Sequence, residues 1–157
     1  MLAVLSMPVS AADPVNVDAL GTVGTTLSFS VTGAIPTQTF ALGDNLFTDS
    51  TVHLISGGNT AFTIGAKDAR GGGGAQLGKM CKWSGTAYLD PYECLTNKFQ
   101  VKNSAAVYSD LSDVTLVQIA SHAAGSYDDV PLFKQNVALT DPAGNYKMTV
   151  TFMATAV

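Results

Sequence analysis

The final run of the chain, from Tyr146 to Val157, alternates without a break. Tyr146, Met148, Val150, Phe152 and Ala154 fall on one side, and Lys147, Thr149, Thr151, Met153 and Thr155 fall on the other. Apolar side chains at every second position are gathered on one face only by an extended chain, in which successive side chains point to opposite faces. A helix would scatter them around its circumference. Asp141-Pro142-Ala143-Gly144, just ahead, supplies turn residues. The run therefore reads as a turn followed by a long strand with one buried face. Such a strand needs a second layer for its apolar side, which predicts a sandwich whose last strand closes the core and marks that strand as a candidate assembly interface.

The rest of the chain has little with which to build the alternative. Charged residues make up 13% of the 157 positions, and Glu93 is the only glutamate. Long polar helix formers normally cover the solvent side of helices; here Thr and Ser take that role, and they suit strands. No segment of ten or more residues holds a helical period. One domain with a proper core fits this length.

Further strands follow by alternation. Leu27, Phe29 and Val31 face one way and Ser28, Ser30 and Thr32 the other, until Gly33 and Pro36 end the run. Thr37 to Leu42 is a short strand candidate. Thr51 to Ile55, then Gly57-Gly58-Asn59, then Asn59 to Ala66 read as a hairpin. Lys98 to Lys102 places Phe99 and Val101 inward. Asp113 to Ala120 is apolar on both sides and reads as a central strand. Ser121 to Asp129 is small and polar, and Asn136 to Leu139 precedes the turn at Asp141. The expectation is an all-β fold: a single β-sandwich, Ig-like or jelly-roll-like, of roughly seven to nine antiparallel strands. It divides into an extended N-terminal segment over 1–20 and a sandwich domain over 21–157.

Met1 to Ala12 looks like the tail of a secretory signal, with small residues at Val9-Ser10-Ala11-Ala12 but no cationic stretch before it. Interrupted by Pro8 and ended by Asp13-Pro14, it falls short of the ~20 apolar residues that span a bilayer. Two cysteines, Cys81 and Cys94, bracket a polar loop carrying Gly85 and Pro91. Without a nearby His or a Cys-x-x-Cys pattern they make a poor zinc site. In an exported chain a disulfide is expected, worth roughly 3 kcal/mol by loop closure.

The net charge is −4, and no Lys or Arg precedes Lys67. Lys67, Arg70, Lys79, Lys82, Lys98 and Lys102 make the centre basic between acidic flanks. A solvated basic loop accounts for this; a sharper reading sets the basic centre of one subunit against an acidic flank of the next. An acidic chain without a basic stripe is a poor partner for nucleic acid.

Catalytic constellations are absent from the sequence. His53 falls in a strand pattern as an outward residue and His122 in a loop as an exposed one, with no nucleophile elbow and no His-x-x-x-His pair. Arg70 and the glycine run 71–74 lack the Lys-Ser/Thr ending of a phosphate loop. Asp44, Asn45 and Asp49, or Asp128 and Asp129, offer oxygens to Ca²⁺ but not its alternating acidic pattern. No metal, cofactor or enzymatic activity is expected. Trp83, Tyr88 and Tyr92 form a candidate glycan platform, although aromatics in such a loop more often pack on the disulfide.

Asp141-Pro142-Ala143-Gly144-Asn145-Tyr146-Lys147-Met148-Thr149-Val150-Thr151-Phe152-Met153-Ala154-Thr155-Ala156 resembles the "AGTYT-x-TVT-x-TAT" endings of exported prokaryotic β-sandwich proteins, among them WxL-like surface proteins and subunits of chaperone-usher and spore-coat-U type pili. Val23 to Gly33 is similar to their opening strand. The chain has no Trp-x-Leu motif and its cysteines lie mid-chain, so the resemblance implies a surface or filament β-sandwich and no particular assembly route. It implies an extracellular, cell-surface structural subunit that polymerises head to tail. A sandwich edge would accept a neighbour's N-terminal strand by β-augmentation, with Ala3, Leu5, Met7, Val9, Val15, Val17 and Ala19 as donor residues and Met148, Val150 and Phe152 as the acceptor. The alternative is a monomeric secreted module that binds glycan or another surface protein.

Overall fold

The computed structural model describes residues 22–70, 77–89 and 93–157. These are all-β: twelve strands form four antiparallel sheets, with no helix among the described residues. One sheet has the order β1 (Leu27–Thr32), β3 (His53–Gly58), β9 (Gly125–Asp129). A second has the order β12 (Val150–Ala156), β4 (Phe62–Asp68), β8 (Val117–His122). Facing them is β2 (Gly43–Leu46), β10 (Phe133–Val137), β6 (Phe99–Lys102), β7 (Tyr108–Asp110). A two-stranded piece joins β5 (Cys81–Lys82) to β11 (Tyr146–Lys147).

The core lies between the layers and is built from the inward side of each alternating run. Leu54 of β3, Phe62, Ile64 and Ala66 of β4, and Phe99, Val101 and Phe133 of the facing sheet are buried in one cluster. Phe99 stacks on Phe133 at 5.7 Å, and Phe133 reaches across to Phe152 of β12 at 6.3 Å. Edge-to-face and offset contacts at these distances add to plain area burial.

Three runs change partner along their length, and of these only the closing one reads as a single strand in the sequence. The expected hairpin of β3 with β4 does not form. β3 pairs with β1 and β9, β4 pairs with β12 and β8, and the chain turns a corner between them at Asn59 to Ala61. The Gly57-Gly58 pair serves that corner and not a two-residue turn. β8 and β9 take the same corner beside it. The closing run is divided at Met148 and Thr149, where it passes from β5 to β4, with the Thr149 carbonyl accepting from the Ala69 N–H.

Other expectations need correction. Thr37 to Leu42 is not a strand. Residues 113–120 do not form a central strand: β8 begins at Val117 and is the outer member of its sheet, while Val114 is 81% exposed in a turn held by Ser112 and Thr115. The apolar residues on both sides of this run straddle a turn and a sheet edge. The polar stretch ending at Asp129 contains β9, and His122 ends β8 with its ring against Tyr127 (centroids 3.8 Å apart), so it is no exposed loop residue.

Asp128 and Asp129 of β9 point to opposite sides, and each meets a histidine. Asp128 pairs with His53 at 2.9 Å on the outer side, and Asp129 with His122 at 2.7 Å on the inner side, where both side chains are largely covered. Asp68 at the end of β4 is the most deeply buried carboxylate among the described residues. It accepts from the Gly78 N–H at 2.8 Å and from the Arg70 backbone and guanidinium. Gly78 must be glycine: its φ is +76° and a Cβ would stand 2.0 Å from the Leu111 carbonyl oxygen.

Candidate strand-accepting edge and groove

Among the described residues, β12 has a hydrogen-bonded neighbour on one side only. Its inner positions, Val150, Phe152 and Ala154, lie opposite Asp68, Ala66 and Ile64 of β4. Those β4 partners are fully buried, whereas the three β12 residues are only half-buried. The other side of β12 carries unpaired backbone groups among the described residues, and its outward face is Thr151, Met153 and Thr155. Such an edge is a template for a further strand.

At its Val150 end this edge opens into a groove of about 900 Å³. One wall is Met148 and Val150 with the turn from Asp141 to Asn145; the other is the loop from Ile35 to Leu42. Phe47, Met80, Leu95 and Phe99 form the floor, so the groove reaches the core itself.

Each wall is fixed by a side chain from the loop chemistry of the sequence. Asn45, 7% exposed, accepts from the Ala41 N–H and donates to the carbonyls of Ala41, Gly43 and Gln135. That carboxamide holds the Ile35–Leu42 wall in a non-strand path. Asp141 anchors the opposite wall, accepting from the Thr96 N–H and hydroxyl and from the Ala138 N–H, all at 2.7 Å. Burial would raise the Asp141 pKa; the Thr96 and Ala138 hydrogen bonds, helped by Lys79, outweigh it and hold the carboxyl below its ordinary value. Nearby, burial pushes the Tyr146 phenol up, and its hydroxyl donates to the Pro142 carbonyl.

Cys81 and Cys94 are joined by a disulfide. It ties two short segments that also exchange the Lys82 N–H to Glu93 carbonyl and Leu95 N–H to Met80 carbonyl bonds. Lys82 caps this on the outside through Glu93, whose hydrogen bond raises the Lys82 pKa. Because β5 carries β11 and because Met80 and Leu95 line the groove, the disulfide braces both its floor and its wall.

Of the expected acceptor residues, the structure brings Met148 and Val150 to the groove, while Phe152 continues along β12 over Phe133. The donor positions Ala3, Leu5, Met7, Val9, Val15, Val17 and Ala19 lie outside the described residues, as does Tyr92. Trp83 and Tyr88 do meet, edge to face at 5.0 Å. Their ring faces are already engaged: the Lys147 ammonium lies 4.0 Å from the Trp83 centroid and the Arg70 guanidinium 5.3 Å from that of Tyr88. The Ile35–Leu42 wall and its Asn45 clamp were missed in the sequence. In the sequence Asn45 offers itself as a Ca²⁺ oxygen, and its Gln135 partner lies far along the chain.

The carboxylates considered for Ca²⁺ are held otherwise. Asp44 meets Asn136 and Lys134, whose hydrogen bonds lower its pKa, and Asp128 and Asp129 hold histidines. No group of three or more metal-ligating side chains occurs among the described residues. Among the same residues, no helix is long and apolar enough to cross a membrane. No protein-family model and no curated protein matches the chain.

Proposed function

We propose that this chain is a structural, non-catalytic subunit of an extracellular filament or surface layer, joined head to tail by an N-terminal strand laid on a neighbour. The observation that carries the reading is the one-sided edge of β12, whose half-buried apolar face opens at Val150 into a groove floored by the core. A monomer that leaves such an edge open invites uncontrolled pairing, whereas a heterologous contact there propagates a fibre. The alternating Val15, Val17 and Ala19 supply a strand with one apolar face. The disulfide fits an oxidising compartment.

Negative-stain microscopy tests this. The full chain should form regular fibres, and removal of residues 1–20 should abolish them while leaving a soluble domain. Fibres from the truncated chain would overturn strand donation, and a monodisperse small particle from the full chain would favour the secreted binding module.

A further inference from the structure

We propose that the Cys81–Cys94 disulfide is a thiol-exchange site: a small thiol is taken up on Cys94 as a mixed disulfide, and Cys81 leaves as a thiolate received by the Arg70 guanidinium. Nothing in this step requires filaments to form.

The two sulfurs are not equivalent. Cys81 pairs with Lys147 of β11 on one side and with Cys94 on the other, so Cys94 is the outer of the two. Cys81 is 1% exposed, whereas Cys94 is half-buried. Access helps to decide which sulfur of a disulfide an incoming thiolate strikes, and here it favours Cys94.

The charge beside Cys81 favours the same direction. Arg70 Nη1 lies 3.0 Å from Cys81 Sγ. The guanidinium is aimed there by Asp68: Nε donates to both carboxylate oxygens at 3.2 Å, Nη2 donates to Oδ2 at 2.8 Å, and Nη2 also donates to the Lys79 carbonyl. Asp68 is fully buried and is itself fixed by the Gly78 N–H. A disulfide sulfur accepts hydrogen bonds weakly and a thiolate accepts them strongly. The contact from Nη1 to Sγ therefore gains strength as the S–S bond breaks. An interaction that strengthens only along the reaction lowers its barrier, and a thiolate beside a guanidinium is the better leaving group.

The step balances without an outside oxidant. The incoming thiol gives its proton to solvent, its sulfur bonds to Cys94 Sγ, the Cys81–Cys94 bond breaks, and the electron pair of that bond stays on Cys81. The incoming sulfur is oxidised to the disulfide level and Cys81 is reduced. Return of the Cys81 thiolate to Cys94 expels the small thiol and restores the bond. While the bond is open, Met80 and Leu95, each next to a cysteine, lose the covalent brace on the groove floor.

Glutathione is the probe. The oxidised full chain is exposed to it briefly, quenched in acid, alkylated in denaturant and digested, and mass spectrometry locates both groups. Glutathione on Cys94 with the alkyl group on Cys81 should be at least about 10-fold more abundant than the reverse. The same chain unfolded in guanidinium chloride should show no preference. An even distribution in the folded chain, an excess of glutathione on Cys81, or no uptake at all overturns the proposal. Asp68→Asn combined with Arg70→Gln removes both charges together and keeps an acceptor for the Gly78 N–H. This variant should take up glutathione about 10-fold more slowly, still on Cys94. A loosened fold would speed uptake and even out the distribution, so slower uptake at an unchanged distribution is the mark of a lost thiolate partner. Uptake at the wild-type rate or faster overturns the role of Arg70.

Discussion

β4 and β12 are paired with each other over seven residues, yet they live in different surroundings. Among the described residues, β4 has a strand on each side and buries Phe62, Ile64, Ala66 and Asp68 completely, whereas β12 has a strand on one side and leaves Val150, Phe152 and Ala154 half-covered. Both alternate in sequence, and β12 alternates the more regularly. Alternation therefore reports which face is apolar, while burial is set by how many neighbours the fold supplies. The shortfall on β12 marks it as an outer strand among the described residues.

Breaking β4 should cost most. Arg70→Ala removes the partner of the fully buried Asp68 carboxylate and should destabilise the domain by about 3–5 kcal/mol in a denaturant titration. Ile64→Ala, at a site with no exposure, should cost about 2–5 kcal/mol by the same measurement. Phe152→Ala removes a larger side chain from a half-covered site and should cost only about 1–3 kcal/mol. A Phe152→Ala loss equal to that of Ile64→Ala would mean that the edge is covered in solution, against the half-covered state described above.

Acidification loosens the groove end of the edge. The folded-state pKa of Asp141 lies below its unfolded value, so its contribution is fully present above the unfolded value and is lost as pH falls through the folded one. Below about pH 4 the Thr96 and Ala138 bonds should weaken, and Asp141→Asn should flatten that part of the stability profile. The smallest effect belongs to Met153→Lys on the outward face. Stability should move by no more than about 0.5 kcal/mol, while the added charge at the edge should slow fibre growth in a light-scattering assay.

How far the sequence reached depends on how each strand earns its place. Leu27 to Val31, Phe99 and Val101, and the closing run were legible because their apolar alternation is the force that seats them. The Cys81–Cys94 bond was legible from residue type and spacing. β9 was not, since Ser126, Asp128 and Asp129 carry no apolar signal; its pairing is decided by partners remote in sequence. The β3–β4 corner was read as a hairpin because Gly57-Gly58 suits either, and only the pairing with β1, β9, β12 and β8 distinguishes them. Of the site, Met148 and Val150 were visible, but the opposite wall depends on Asn45 bonding across to Gln135, a contact that no local pattern announces.

The two carboxylates of β9 act as a key with teeth on both edges. If the strand slipped by one residue against β3, only one of them would still meet a histidine; the other histidine would face Tyr127 or Val130. Strands poor in hydrophobic side chains usually hold their alignment weakly. Here alignment is set by aspartate–histidine hydrogen bonds on both sides of the sheet, and a slip in either direction loses one of them.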